Sequence, residues 1–598
     1  MNTRIKERLA ALRAAMAKEG LAACYIPTAD YHLSEYVGEH FKFRAWLSGF
    51  TGSAGTLVVL PDQAGLWTDG RYFLQAEAQL AGTGIDLYKM QIPGVPTIEE
   101  FLTAHLKPGD RVGADGRTIS ASAGKALANA LEEKGIFLDP STDPAAEIWT
   151  DRPALAQEKI WLYDESFAGR STKDKLADVR AKIAQAGADI HVICALDEIA
   201  WLFNLRGSDV AYNPVFLSYA VIGRDFVRLY LDETKLTAEA GDHLASLGVS
   251  VCPYEEVYEA AKTWGGQKIL FSEAQSNYRL FQILSESGAQ ILDAPDPVLE
   301  LKAVKNEVEI SQTRTAHIRD GVIMVRFMKW LKETVKEGAL TEATAMEHLD
   351  SMRREANHSL GLSFNTIAGY GPHGAIVHYA VTPESDIPLE PQGLFLVDSG
   401  GQYLEGTTDI TRTFALGPLT SEEKAHFALV LRCMLNLMYA RFPEGADGHH
   451  LDVLAPQPLW EQGLDFLHGT GHGVGHLLNV HEGPNRFSWK TGKSDPPVPL
   501  VPGMVTTDEP GVYITGKHGI RLENELLCRE GQETDYGRFL CFESLTLVPI
   551  DLDAVDPALL NETDRQRLNA YHRRVYETLA PELSKEEQEW LESCTREI

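Results

Sequence analysis

Gly393-Leu-Phe-Leu-Val-Asp398-Ser-Gly-Gly-Gln-Tyr-Leu-Glu-Gly-Thr-Thr-Asp409-Ile-Thr-Arg-Thr-Phe414 decides the reading of this chain. An apolar run, Leu394 to Val397, ends on an acid, passes through Ser-Gly-Gly and returns as alternating threonines. A strand, a turn and a strand would bring Asp398 and Asp409, eleven residues apart, to one point. Alternate strand residues share a face, so Thr407, Thr411 and Thr413 are expected to line Asp409's face with polar groups.

Further on stand His468-Gly-Thr-Gly-His472-Gly-Val-Gly, Thr507-Asp-Glu509-Pro-Gly and Ile520-Arg-Leu-Glu523-Asn. The first is too glycine-rich for a helix and lacks the Glu of a His-Glu-x-x-His zinc site. Its glycines let backbone approach the site closely. A single Asp, Glu or His is usually a surface or structural residue. Asp398, Asp409, His472, Glu509 and Glu523 together are a ligand set for a pair of hard or borderline divalent ions. Four carboxylates balance two such ions, leaving a bridging hydroxide as nucleophile. The oxygen-rich set leans towards Mn²⁺, with Zn²⁺ or Co²⁺ as alternatives.

The rest of the chain bounds this reading. Its 598 residues exceed one hydrophobic core. A net charge of −30 argues against nucleic-acid binding, which needs a basic face. Seven scattered cysteines, with no Cys-x-x-Cys, predict buried thiols in a reducing compartment. Ile5, Leu9, Leu12 and Met16 fall at helical spacing before Gly20, which is no signal peptide. With no apolar run of about twenty residues, no membrane span is expected, and the cytoplasm is the default location.

Strand and helix patterns alternate through the first half, and Asp139-Pro-Ser-Thr-Asp-Pro and Asp293-Ala-Pro-Asp-Pro297 mark boundaries. Three domains follow: 1–145, 146–300 and 301–598. Arg44-Ala-Trp-Leu-Ser-Gly is echoed by Ile199-Ala-Trp-Leu-Phe-Asn, and the Phe226–Asp232 stretch echoes the strand before Asp69, so the first two read as a diverged tandem duplication. Arg71 and Trp67 are assigned fold roles. The helical tail from Pro557 reads as a packing helix, with a dimer contact as the alternative.

Gly-Ala-Ile-Val-His378-Tyr, Val-Asp398-Ser-Gly, Gly-Thr-Thr-Asp409-Ile-Thr-Arg-Thr, the His468–His472 segment, Asn-Val-His481-Glu-Gly-Pro, Asp-Glu509-Pro-Gly and Ile-Arg-Leu-Glu523-Asn resemble the pita-bread metallopeptidases, more narrowly the long three-domain form of the aminopeptidase P family. Ser48-Gly-Phe-Thr-Gly-Ser-Ala-Gly55, Trp67-Thr-Asp-Gly-Arg-Tyr-Phe-Leu-Gln75 and Tyr536-Gly-Arg-Phe-Leu extend the resemblance over nearly the whole chain.

That resemblance implies an α/β (α+β) fold: two tandem, related creatinase-type domains followed by a pita-bread catalytic domain. It implies hydrolysis of the N-terminal Xaa-Pro bond of peptides, and a homodimer. Asp398 would hold one ion and help receive the substrate's amino group. Asp409 and Glu523 would bridge both ions, and His472 and Glu509 would complete the second. Glu509 would shuttle the proton, His378 and His481 would bind the scissile carbonyl or nearby backbone, and His468 would line the proline pocket. Arg521 would stand behind the ligands, and His476, His373 and His518 carry no expected catalytic role. His449 and His450 are expected in a solvated loop.

A prolidase would share the metal site but act on dipeptides, and the duplicated N-terminal region argues against it. Methionine aminopeptidases need no such scaffold, and creatinase-like enzymes lack the five ligands. A non-catalytic pita-bread binding protein would have lost at least one ligand.

Overall fold

The computed structural model describes residues 2–490 and 497–598. The chain forms two compact units, 1–164 with 170–298, and 165–169 with 299–598. In the first, the helix Asn2–Glu19 buries Ile5, Leu9, Leu12 and Met16 and stops at Gly20, whose φ of +68° suits glycine.

This unit contains two six-stranded sheets. In chain order the first uses Ala23–Pro27, Thr56–Val59, Ala64–Thr68, Asp86–Lys89, Arg111–Ala114 and Phe137–Asp139. The second uses Ile190–Ile193, Tyr219–Gly223, Val227–Tyr230, Ser250–Cys252, Lys268–Phe271 and Gln290–Asp293. Numbered first to sixth, both sheets have the spatial order 4-3-2-1-5-6. In both, the first three strands are mutually antiparallel neighbours and the other three join in parallel. Shared order and shared strand sense are the structural form of the sequence echoes.

Trp67 lies in the core, stacked on Tyr88 at 4.1 Å, with its Nε1–H donated to the Pro96 carbonyl. Arg71 makes a half-buried ion pair with Asp69. Both therefore do structural work. Among the described residues, no metal-competent group of His, Cys, Asp or Glu occurs in this unit.

The spine of the second unit is the helix Glu307–Thr334, begun by a reciprocal Asn306/Glu309 cap. It buries Ala316, Met324, Phe327, Met328 and Leu331. Against it stands a three-stranded antiparallel sheet of Ile367–Tyr370, Leu394–Ser399 and Ile410–Ala415. A six-stranded sheet runs in the order Arg441–Pro443, Gly537–Ser544, Asn524–Thr534, Val505–Asp508, Gly471–Gly473 and Glu482–Phe487.

One local expectation is corrected. The path from Asp398 to Asp409 is not a single turn, because Gly401–Tyr403 and Gly406–Thr407 form a hairpin that pairs with Ser359–Leu362. Thr407 donates to Gln402 Oε1 inside that hairpin and leaves the predicted face. Thr411 and Thr413 stay on it. The tail helices Glu562–Leu579 and Lys585–Cys594 bury Leu568, Tyr571, His572, Val575, Leu579 and Leu591, as packing helices do.

All seven cysteines are free, but Cys252, Cys541 and Cys594 are only half-buried. His449 and His450 lie in a short helix, Gly448–Asp452, capped by Asp447, rather than in a loop. No described helix is long and apolar enough to cross a membrane.

Candidate metal centre

Each predicted ligand sits where a strand ends or kinks. Asp398 occupies the penultimate position of Leu394–Ser399, opposite Thr411. Asp409 immediately precedes Ile410–Ala415. His472 is the middle residue of Gly471–Gly473. Glu509 follows Val505–Asp508, and Glu523 separates His518–Arg521 from Asn524–Thr534. The flanking glycines are obligatory here: a Cβ on Gly471 would lie 1.8 Å from the Thr507 carbonyl oxygen, and one on Gly473 2.1 Å from that of Glu482.

These side chains converge. Ligand atoms of Asp398, Asp409 and Glu523 lie within 4.8 Å of one another, as do those of His472, Glu509 and Glu523, and of Asp409, His472 and His481. Glu523 belongs to the first two groups and Asp409 to the first and third. His472 Nε2 is 3.4 Å from Asp409 Oδ2 and 3.6 Å from Glu509 Oε1. Its Nδ1–H donates to the Gly473 carbonyl at 2.9 Å, which leaves the Nε2 lone pair facing the carboxylates, the tautomer a metal requires.

The electrostatics ask for cations. Asp409 and Glu523 are buried, and Glu509 is the most open of the group's acids, its side chain 18% exposed. Burial, reinforced by Asp398, pushes Asp409 well above the usual carboxylate range. Burial with Glu523 does the same to Glu509, and burial with Asp409 to Glu523. Asp398 Oδ2 accepts from Arg521 Nη2 at 2.6 Å, while its buried Oδ1 has no hydrogen-bond partner. An orphaned carboxylate oxygen among acids, and an Nε2 lone pair facing two of the same group's carboxylates, fit divalent metal.

The remaining predicted residues surround this group. His481 stacks edge-on to His472, ring centres 4.3 Å apart. His378 is half-buried and follows Val377, whose carbonyl is 3.5 Å from Arg521 Nη2. His468 places Nε2 2.8 Å from Tyr513 Oη, and Arg521 Nη1 donates to the same oxygen at 2.8 Å.

Sequence reading missed several supports. Tyr513 joins Arg521 to His468, and the Asp409 N–H donates to buried Glu525, which also faces His317 at 3.3 Å. Thr411 Oγ1 donates to Glu523 Oε2 at 2.8 Å. The threonine parity was the one signal in the sequence for any of these. His476 touches Thr313 and the Phe167 carbonyl, His373 touches Glu342, and His518 touches His426.

Residues 8–145 and 151–309 each match the Creatinase/Prolidase N-terminal domain. Residues 311–530 match metallopeptidase family M24, and 538–598 match the C-terminal region of peptidase M24. The chain is 41% identical to a probable Xaa-Pro aminopeptidase P of Talaromyces marneffei and 39% identical to one of Aspergillus flavus, each alignment covering 99% of this chain and 92% of the relative. It is also similar to the crystal structure of X-prolyl aminopeptidase from Caenorhabditis elegans, described as a cytosolic enzyme with a di-nuclear active site. There the TM-score is 0.94 at 34% identity, covering 99% of this chain and 100% of that one.

Proposed function

Since this chain belongs to the aminopeptidase P group of metallopeptidase family M24, with creatinase-type domains ahead of a pita-bread domain, and is a metallo-aminopeptidase, we propose that it removes the first residue from peptides whose second residue is proline. The observation that carries the reading is the convergence of Asp398, Asp409, His472, Glu509 and Glu523. Two divalent ions, when bound there, would activate water as the nucleophile and stabilise charge on the displaced oxygen.

Asp409 and Glu523, each a member of two of the converging groups, would serve both ions. Asp398 would complete one position, and His472 with Glu509 the other. The donor set favours Mn²⁺, with Zn²⁺ or Co²⁺ as alternatives. Asp398, steadied by Arg521, would also receive the substrate's amino group. Glu509, the most open of the ligand acids, would carry the proton to the leaving nitrogen. His481 and His378 would hold the scissile carbonyl or adjacent backbone, and His468, steadied by Tyr513, would line the proline pocket.

Proline suits such a site. Its amide nitrogen carries no hydrogen and its ring fixes φ, so a peptidase that grips the scissile N–H fails there. Attack that needs no such grip does not, and proton delivery by Glu509 helps a basic secondary amine to leave. Free thiols throughout suit a reducing cytoplasm, and we expect a homodimer.

The test is a paired hydrolysis assay on metal-stripped and Mn²⁺-loaded protein. One substrate begins Arg-Pro-Pro; the other is a free Xaa-Pro dipeptide. The expected result is metal-dependent release of arginine, with the dipeptide poor. Preference for the dipeptide would make the chain a prolidase, and silence on both with metal bound would make it a binding protein.

A further inference from the structure

Behind Glu523 lies a buried guanidinium that makes no direct ion pair. Arg412 is 1% exposed, and among the described residues no carboxylate forms an ion pair with it. Its guanidinium is satisfied by dipoles instead. Nη1 donates to the carbonyls of Thr411 at 2.9 Å and Glu523 at 2.6 Å. Nη2 reaches Asn524 Oδ1 at 2.7 Å, the Val548 carbonyl at 2.8 Å and Tyr571 Oη at 2.9 Å. Nε donates to the Pro549 carbonyl at 3.2 Å. Burying a guanidinium without a direct ion pair is costly, so a fork that satisfies itself on six backbone and side-chain groups marks a place where geometry matters.

That geometry is Glu523's main chain. Its N–H donates to the Thr411 carbonyl at 3.1 Å, its carbonyl accepts from Arg412, and its Oε2 accepts from Thr411 Oγ1. The far side of the fork is held by Tyr571, on the helix Glu562–Leu579. Tyr571 Oη donates to the Val548 carbonyl at 2.8 Å and takes the Val548 N–H at 3.3 Å, fixing the segment that Arg412 also grips. The next residue, His572, accepts the Ile550 N–H at 3.0 Å.

We propose that the C-terminal helix is a working part of the metal centre: Tyr571, through Arg412, fixes the main chain of Glu523 and so sets the centre's affinity for divalent ions. Tyr571 and Arg412 are positioning residues; neither touches substrate. The inference rests on Glu523 being a ligand. It gives the tail a role beyond packing, since groups that orient ligands typically control metal affinity about 10- to 100-fold.

Mn²⁺ binding to metal-stripped, full-length protein, measured by titration calorimetry, tests it. Four variants are compared: Tyr571→Phe, which removes one oxygen; Arg412→Lys, which keeps the charge and loses the fork; Val575→Ala, which loosens the same helix elsewhere; and Glu523→Gln. Expected are affinity losses of about tenfold or more for Tyr571→Phe and Arg412→Lys. Val575→Ala should lower Tm yet leave Mn²⁺ affinity within about twofold, because Val575, one turn along the helix, supplies packing and none of the hydrogen bonds to Arg412. Should Arg412→Lys not fold, Tyr571→Phe decides alone. Wild-type affinity in Tyr571→Phe, beside a large loss in Glu523→Gln, overturns the inference and leaves the site reading intact. An equal loss in Val575→Ala also overturns it, since packing alone would then suffice. Undiminished binding by Glu523→Gln removes the premise.

Discussion

Tyr379 donates its hydroxyl to Glu342 over 2.8 Å, and the accepting carboxylate has no solvent exposure. The same carboxylate takes the Tyr370 N–H at 2.7 Å and faces His373 Nδ1 at 2.9 Å. His378 lies between His373 and Tyr379 on that loop, so one buried acid anchors both flanks of a residue assigned to the scissile carbonyl. Glu342→Gln cannot accept from both flanks. Turnover should fall about tenfold or more, since small misplacements of a positioned group are costly. Mn²⁺ affinity should not move, because no ligand is touched. Steady-state kinetics beside metal titration check this, and an unchanged kcat would separate the loop from the reaction.

His481 has an anchor of a different kind. The next residue, Glu482, is buried between Lys305 Nζ at 2.6 Å and Lys302 Nζ at 3.0 Å. Burial would raise its carboxyl; the two lysines outweigh that and hold it below the usual range. Glu482→Gln leaves two buried ammonium groups uncompensated and should cost about 3–5 kcal/mol. Lys302→Met leaves a balanced pair and should cost distinctly less. Denaturant unfolding of the two variants gives the comparison, and the reverse order would refute this account of the triad. Catalytic efficiency should follow the same order, because the triad steadies the turn that carries His481.

The contrast between these anchors and the ligands explains what could be read from the sequence. Asp398 was legible because an acid ending an apolar run has few roles other than an inward-facing one. His472 was legible because the glycines beside it stand where any Cβ would strike a carbonyl oxygen. The duplication was legible because each copy repeats a local pattern, which the matching strand orders reproduce. Glu342, Arg412, Glu482 and Tyr571 were not, because their partners are set by tertiary pairing. Locally, a buried charge has the spelling of a solvated one. The hairpin between Asp398 and Asp409 was missed for a related reason, since its partner Ser359–Leu362 lies far upstream.

The C-terminal helix should also give the fold a dependence on pH. Burial holds His572 down to about 3 from 6.5, with Arg412 and Arg596 adding to the effect. Its Nε2 must stay unprotonated to accept the Ile550 N–H. The unfolded chain therefore binds a proton that the folded chain refuses. The stability contribution is fully present above about pH 6.5 and is lost as pH falls towards 3. The loss is about 1.4 kcal/mol per pH unit in that window. His572→Gln keeps an acceptor and removes the titration. The wild-type advantage over this variant should shrink steadily as pH falls from 7 to 5 in equilibrium unfolding; a constant difference would exclude His572 as the titrating group.

Metal removal should produce a pH dependence of the opposite sign. In the metal-stripped protein, burial and mutual repulsion raise Asp409, Glu509 and Glu523. Between the unfolded carboxylate range and these raised values the folded state holds more protons than the unfolded one. Its stability must then decline as pH rises through that interval. Divalent ions replace those protons, so a loaded centre should lose the slope and, at free metal about 100 times Kd, gain about 2.7 kcal/mol. Because binding expels protons, Mn²⁺ affinity should itself rise with pH. Melting curves from pH 5 to 8, with chelator and with excess Mn²⁺, test both statements. The separation between the two curves should widen as pH rises, and Glu509→Gln, which removes one of the three raised acids, should narrow it. Parallel curves would mean that these carboxylates are not the groups the metal neutralises.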